Sequence, residues 1–267
     1  MQKGYGKFLS TVLLSFIIVI GLSACGSDKE ADGDAQNGSG DLKDEYTVVS
    51  DTSFVPFEFK EDGEYVGFDI ELIKAIAAEA GFKINLETTN FDGIIPGLQT
   101  GQFDIAIAGI SITEDRAKKI DYSDAYYQSG LRIGVAVDND SIKGIEDLEG
   151  KTIATRLGST SAAYIEKNID GAEANQYEQL DQAYLAVENG SADAILYDAP
   201  NVAYYIKTKG EDSLKMVGDL YQAEDYGIAI AKGNDELVKA INEALATLKE
   251  NGKYDEIHEK WFGEKPE

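Results

Sequence analysis

Ser111, Thr113, Glu114, Asp115 and Arg116 follow a glycine in one short run, and together they contain the residue types that hold an anion. Thr113 can cap a helix, because its hydroxyl can accept from a first-turn N–H, and Glu114 and Asp115 suit the positive end of the helix dipole. Arg116 opposes that dipole. Either it pairs with Glu114, Asp121 or Asp124 on the surface, or it faces something negative beside the loop's N–H groups and the Ser111 hydroxyl.

A second stretch weighs between these readings. Ala183 to Asp198 repeats the layout of Ile94 to Gly109: a short helix, a glycine stop at Gly101 or Gly190, an aspartate three residues later, then an apolar strand. Two such units predict two similar α/β lobes, and in open α/β sheets ligands lie beyond the carboxyl ends of the strands. The first strand ends at Ala108 and Gly109 and leads to Arg116, whereas the second ends at Tyr197 and Asp198. If the lobes face each other, a cation and an anion meet across a cleft, which matches the carboxylate and ammonium of a free α-amino acid.

The elements that must position these groups can be read in order. Tyr46 to Ser50 is a predicted strand, followed by Phe54, Phe57 and Phe59 around Pro56, of which Phe57 and Phe59 are expected to cover the core. A helix is predicted from Ile70 to Ala80 with Asp69 as its cap and Gly81 as its stop. Lys83 to Thr88 is a strand, Phe91 lies in a turn, Ile94 to Thr100 is a helix, and Phe103 to Ala108 is a strand. Strands are further expected at 131–137, 151–155, 174–177 and 226–231, with helices over 160–168, from Pro200 onward, and over 235–250. Tyr254, Ile257, Trp261 and Phe262 are expected to clamp the C-terminal helix onto the first lobe.

Composition removes several function classes. The chain has 267 residues with 49 acidic against 24 basic side chains, a net charge of −25, so no basic face for nucleic acid is expected. A single cysteine and a single histidine rule out an internal disulfide and any cysteine-based zinc site, and no metal or other cofactor is expected. His258 reads as a surface residue. Lys3 and Lys7 precede an apolar run from Phe8 to Leu22, and the ending Leu22-Ser23-Ala24-Cys25 resembles a bacterial lipobox. This implies a signal peptide over 1–24, removed in export, and a lipidated Cys25. The polar stretch that follows predicts a flexible, lipid-anchored tether over 25–45.

With these residues laid out, DTSFVPFEF, VGFDIELIKAIA, FDGIIPGLQTG, AGISITEDR, DYSDAYYQSG, ADAILYDAPN and ENGKYDEIHEKWFG occur in an order that resembles the amino-acid-binding proteins of bacterial ABC importers, the glutamine binders most closely. The resemblance implies a two-lobed, type II periplasmic-binding-protein fold of α/β class with two crossover hinge strands. Lobe 1 is then 46–125 with 227–267, lobe 2 is 131–221, and the hinges are about 126–130 and 222–226. It implies that Arg116, Ser111 and the loop at Thr160 take the ligand carboxylate, and that Asp198 and the Gly109 carbonyl take its ammonium. Phe54 and Phe91 would flank the aliphatic stem beside Ala108, and Asp51 and Arg156 would meet the side chain. Arg156, Tyr197 and Thr160 stand where the glutamine-binding pattern has lysine, histidine and glycine, which alters pocket volume and reach.

The expected function is therefore a non-enzymatic, lipid-anchored and monomeric solute binder at the extracytoplasmic face of the cell membrane. Its ligand is L-glutamine or, as the alternative, arginine or another polar or basic amino acid, delivered to an ABC permease and its ATPase. A dehydratase-like enzyme on the same scaffold is the competing class; it needs a free acid or base, whereas Asp51 and Asp198 each have a binding role.

Overall fold

The computed structural model describes residues 42–266. The expected signal segment and Cys25 lie outside them, as does the expected tether except for its last residues. Those last residues are not tether-like. Leu42 packs partly buried against the core, and the Lys43 ammonium sits 2.7 Å from the Asp104 carboxylate, which also accepts the Thr47 N–H.

The first half of the chain alternates strand and helix because its apolar residues switch between periods of two and three to four. Strand β1 (Glu45–Ser50) is followed by a three-stranded antiparallel ribbon, β2 (Ser53–Phe54), β3 (Glu58–Glu61) and β4 (Glu64–Val66). Helix α1 (Phe68–Ala80) buries Phe68, Ile70, Leu72, Ile73 and Ile76. It begins two residues before the predicted start and is preceded by Gly67, not capped by Asp69. The reason is steric: at Gly67 φ is +129°, and a Cβ there would lie 2.1 Å from the Phe57 carbonyl oxygen, so only glycine admits this entry.

Strand β5 (Lys83–Thr88) has the expected bounds, while helix α2 (Phe91–Gln99) starts at Phe91, so that residue is helical and not in a turn. The strand expected over 103–108 shrinks to β6 (Ile105–Ala106), and α3 (Glu114–Ala117) is a single turn capped by Thr113.

Two long strands join the halves. β7 (Asp121–Ala136) runs unbroken through the segment expected as a crossover before a separate strand. After it come a 3₁₀ turn at Ile145–Leu148, then β8 (Thr152–Arg156), α4 (Thr160–Asn168), β9 (Glu173–Tyr177), α5 (Leu180–Glu188), β10 (Ala194–Asp198) and α6 (Ala199–Thr208). β11 (Leu214–Ile230) returns along β7, and α7 (Asp235–Glu250) and α8 (Lys253–Phe262) end the described chain.

The sheet order is β5-β1-β6-β11-β7-β10-β8-β9. β5, β1 and β6 are parallel, as are β10, β8 and β9, and the antiparallel pair β7 and β11 lies between these triplets. Tyr127 pairs with Tyr226, Gln128 with Asp225 and Ser129 with Glu224, so the expected hinge segments are neighbours on adjacent strands. They extended into long strands because each finds its hydrogen-bond partner in the other, information that neither segment carries alone.

The C-terminal helix supplies one further correction. His258 is not a surface residue: it is buried, its Nδ1 is 2.7 Å from the Glu264 carbonyl, and its ring packs on Phe68, Tyr127 and Phe262. Tyr254 and Ile257 are also buried, with Trp261 and Phe262 partly so, and Phe57 is fully enclosed among these aromatics while Phe59 packs at the rim against Trp261.

Candidate functional site

The loop after β6 turns at Gly109, where φ is +53° and an added Cβ would meet the Phe54 ring at 2.3 Å. The Gly109 N–H donates to Asp69 Oδ2 at 2.9 Å and to the Tyr126 hydroxyl at 3.2 Å, which fixes the loop from behind. From there the chain runs alongside β11. The Ile112 N–H donates to the Asp225 carbonyl and the Gly227 N–H to the Ile110 carbonyl, so Ser111 is held against the crossover strand beside Tyr226.

Arg116 leaves the single turn of α3 and points inward. It is buried, at 9% exposure, and forms no ion pair among the described residues, which disposes of the pairing with Glu114, Asp121 or Asp124. Its Nη1 donates to the Ser111 carbonyl and its Nη2 to the Gly158 carbonyl, each at 3.1 Å. Gly158 follows β8, so one guanidinium links the two α/β units. The Phe91 ring lies 5.6 Å from the Arg116 guanidinium carbon and 5.6 Å from that of Arg156, within cation–π range of both.

Asp198 ends β10, where all five residues are buried. Its Oδ2 accepts from the Tyr226 hydroxyl, whose oxygen in turn accepts from the Ser129 hydroxyl at 3.0 Å. Burial raises the Asp198 carboxyl to about 7, against the hydrogen bond from Tyr226, which lowers it. The Tyr197 ring is buried beside it, edge-on to Phe54 at 5.9 Å. Ala108 is buried just before Gly109.

Below these groups lies a charged floor. Arg156 Nη1 is 2.5 Å from Asp51 Oδ2, with both side chains all but fully buried. The contact is close, but neither the guanidinium nor the carboxylate has an aligned hydrogen bond among the described residues. Buried polar groups in folded proteins are nearly always hydrogen-bonded, so this floor is suited to a further polar partner. Glu58 is fully buried nearby with both oxygens unpaired, and burial, then Asp69 and Asp51, push its carboxyl well above the usual range.

The structure therefore gathers Asp51, Phe54, Phe91, Gly109, Ser111, Arg116, Arg156, Thr160, Tyr197 and Asp198 around the junction of the two units. Sequence reading missed Glu58, Asp69, Tyr226 and Glu224. A carboxylate in an aromatic segment, as Glu58 is in FVPFEF, was the one available signal. Thr160 Oγ1 and Ser111 Oγ both donate to Glu224 Oε2. Among the described residues no group of three or more His, Cys, Asp and Glu side chains is arranged to hold a metal ion, and no helix is long and apolar enough to cross a membrane.

Residues 46–264 match the model of the bacterial extracellular solute-binding proteins, family 3. The ABC transporter glutamine-binding protein GlnH of Bacillus subtilis (strain 168) is 34% identical over 279 residues, covering 97% of this chain and 98% of its own. A solved structure of an ancestral arginine-binding protein bound to arginine superposes with a TM-score of 0.79 at 42% identity, over 83% of this chain and all of the other. An ancestral arginine-binding protein bound to glutamine gives 0.80 at 43% identity, over 84% of this chain and all of the other.

Proposed function

This chain belongs to the bacterial extracellular solute-binding proteins of family 3, with the type II periplasmic-binding-protein fold, and from that premise we propose that it captures a free polar L-amino acid, L-glutamine first, for an ABC permease and its ATPase. The observation that carries the reading is that buried Arg116 and buried Asp198 come from separate α/β units and are near enough for the Arg116 charge to act on the Asp198 carboxyl. Arg116, Ser111 and Thr160 take the α-carboxylate, and Asp198 with the Gly109 carbonyl takes the ammonium. Phe54 and Phe91 flank the stem. Lobe 1 is 46–125 with 227–267 and lobe 2 is 131–221, and they close about 126–130 and 222–226.

The floor selects the side chain. Asp51 and Arg156 are already paired, so their charges cancel, and an amide supplies the donor for one and the acceptor for the other. A cationic side chain faces Arg156 and an anionic one faces Asp51. Sites built around a specific hydrogen-bonding group discriminate by as much as about 10⁴ to 10⁵. One observation favours arginine as the second reading: the ancestral binding protein that is 42% identical to this chain was solved bound to arginine.

Competition calorimetry with glutamine, arginine, glutamate and histidine tests the assignment. Glutamine is expected to bind most tightly; tighter binding of arginine overturns the neutral-floor argument. A thermal-shift screen of the twenty amino acids tests the class, since a ligand at a hundred times its dissociation constant adds about 2.7 kcal/mol, and no response to any of them sinks it.

A further inference from the structure

Glu224 has no role in the reading above, yet it stands in the seat that reading gives to the ligand. It lies on β11 opposite Ser129, between the two α/β units. The register of β11 against β7 shifts between Val217 and Tyr221 and again between Tyr221 and Glu224, and Gln222 adopts a left-handed backbone with φ of 43°. Such irregularities re-aim side chains that a regular strand would send elsewhere. Here Glu224 Oε2 accepts from Ser111 Oγ and, at 2.8 Å, from Thr160 Oγ1, while Gln222 Nε2 donates to its other oxygen.

Ser111 belongs to the loop after β6 and Thr160 opens α4, so one carboxylate oxygen bridges hydroxyls from both units. An α-carboxylate held by Ser111 and Thr160 requires the same two donors. Each hydroxyl has one O–H to give, so the two carboxylates compete for it.

We propose that Glu224 is an intramolecular competitor for the ligand's α-carboxylate. It holds the Ser111 and Thr160 hydroxyls until an amino acid displaces it. Displacement leaves the Glu224 carboxylate near Asp198, whose carboxyl its charge already raises after the larger effect of burial, so the ligand's ammonium is needed to offset two carboxylates. A molecule bearing only a carboxylate cannot do this, which makes the device a filter for zwitterions. Apparent affinity falls by the fraction of molecules whose seat is taken by Glu224. The inference rests on the amino-acid reading of the site.

The experiment compares the full chain, refolded free of bound amino acid, with its Glu224→Ala and Glu224→Gln variants. Calorimetry with L-glutamine and L-arginine is expected to show about tenfold tighter binding for Glu224→Ala, and a smaller gain for Glu224→Gln, whose amide oxygen still accepts. Unchanged or weaker binding in both variants overturns the inference and makes Glu224 a bystander or a ligand-holding group. If the wild type binds no amino acid, the amino-acid reading fails by itself, and small-angle scattering without ligand decides the inference. A more extended profile for Glu224→Ala than for wild type then supports the bridge between the units; superimposable profiles overturn it.

Discussion

At the scale of single residues, Arg116 and Asp198 set the strongest expectation. Both are buried, and truncating one partner of a buried charge pair costs about 2 to 5 kcal/mol. Arg116→Ala and Asp198→Ala are each expected to weaken amino-acid binding at least about thirtyfold by calorimetry, and losses below tenfold in both remove them from the site. Asp198 also predicts the pH profile. Its carboxyl titrates at about 7, and only the ionised form pairs with an ammonium. Affinity should therefore hold above that value and fall as pH drops through it, by about tenfold per unit, as the ligand must expel a proton. A flat profile from pH 8 to pH 5.5 would place the ammonium elsewhere. Residue types in sequence sufficed to nominate both groups, since an arginine against a helix dipole and an aspartate at the end of an apolar strand are each costly unless used. Nothing local nominated Glu224, whose partner Ser111 lies 113 positions away.

At the scale of elements, Asp69 shows what happens when a cap position moves. Its place in the first turn of α1 is buried, and instead of capping that helix it accepts from the Gly109 N–H and the Tyr126 hydroxyl, tying α1 to the β6 loop and to β7. Burial raises its carboxyl from 3.8 to about 7, and those hydrogen bonds pull it back only in part. The folded state thus binds the proton more tightly than the unfolded chain. Its contribution to stability is full below about 4 and is lost as pH rises to about 7. Asp69→Asn keeps an acceptor for both donors and cannot ionise. Urea denaturation is expected to show the wild type losing up to about 4 kcal/mol relative to this variant between pH 4 and pH 8. Parallel stability curves would mean that Asp69 titrates normally. The helices at Thr160–Asn168 and Asp235–Glu250 and the strand at Lys83–Thr88 were legible to the residue, because their periodicity and end signals lie within the segments themselves. β7 and β11 were not, because their central pairing exists only once the two strands meet.

At the scale of the whole molecule, membrane attachment is expected to depend on Cys25, the proposed lipidation site. One acyl chain anchors a protein only marginally, so stable attachment needs the dual acylation of a lipobox cysteine. Cys25→Ala should release cleaved protein from the membrane fraction or leave it uncleaved, and unchanged attachment of a cleaved variant would contradict the proposal. By itself the sequence pointed to the class of the protein, through segments that resemble those of amino-acid-binding proteins in the same order. Two repeated α/β units, a cation after one strand end, an anion at the other and an acidic composition are all properties of residue type and spacing, and they persist however the units are packed. The tertiary structure alone decided how the polar groups are spent: Asp51 on Arg156, Gly109 on Asp69, His258 in an aromatic cluster, and Ser111 with Thr160 on Glu224. The physical reason is range. Helix caps and periodicity act over a few residues, whereas a buried charge takes its partner from whatever chain the sheet order brings alongside, and that order is fixed only when β7 and β11 join the two parallel triplets.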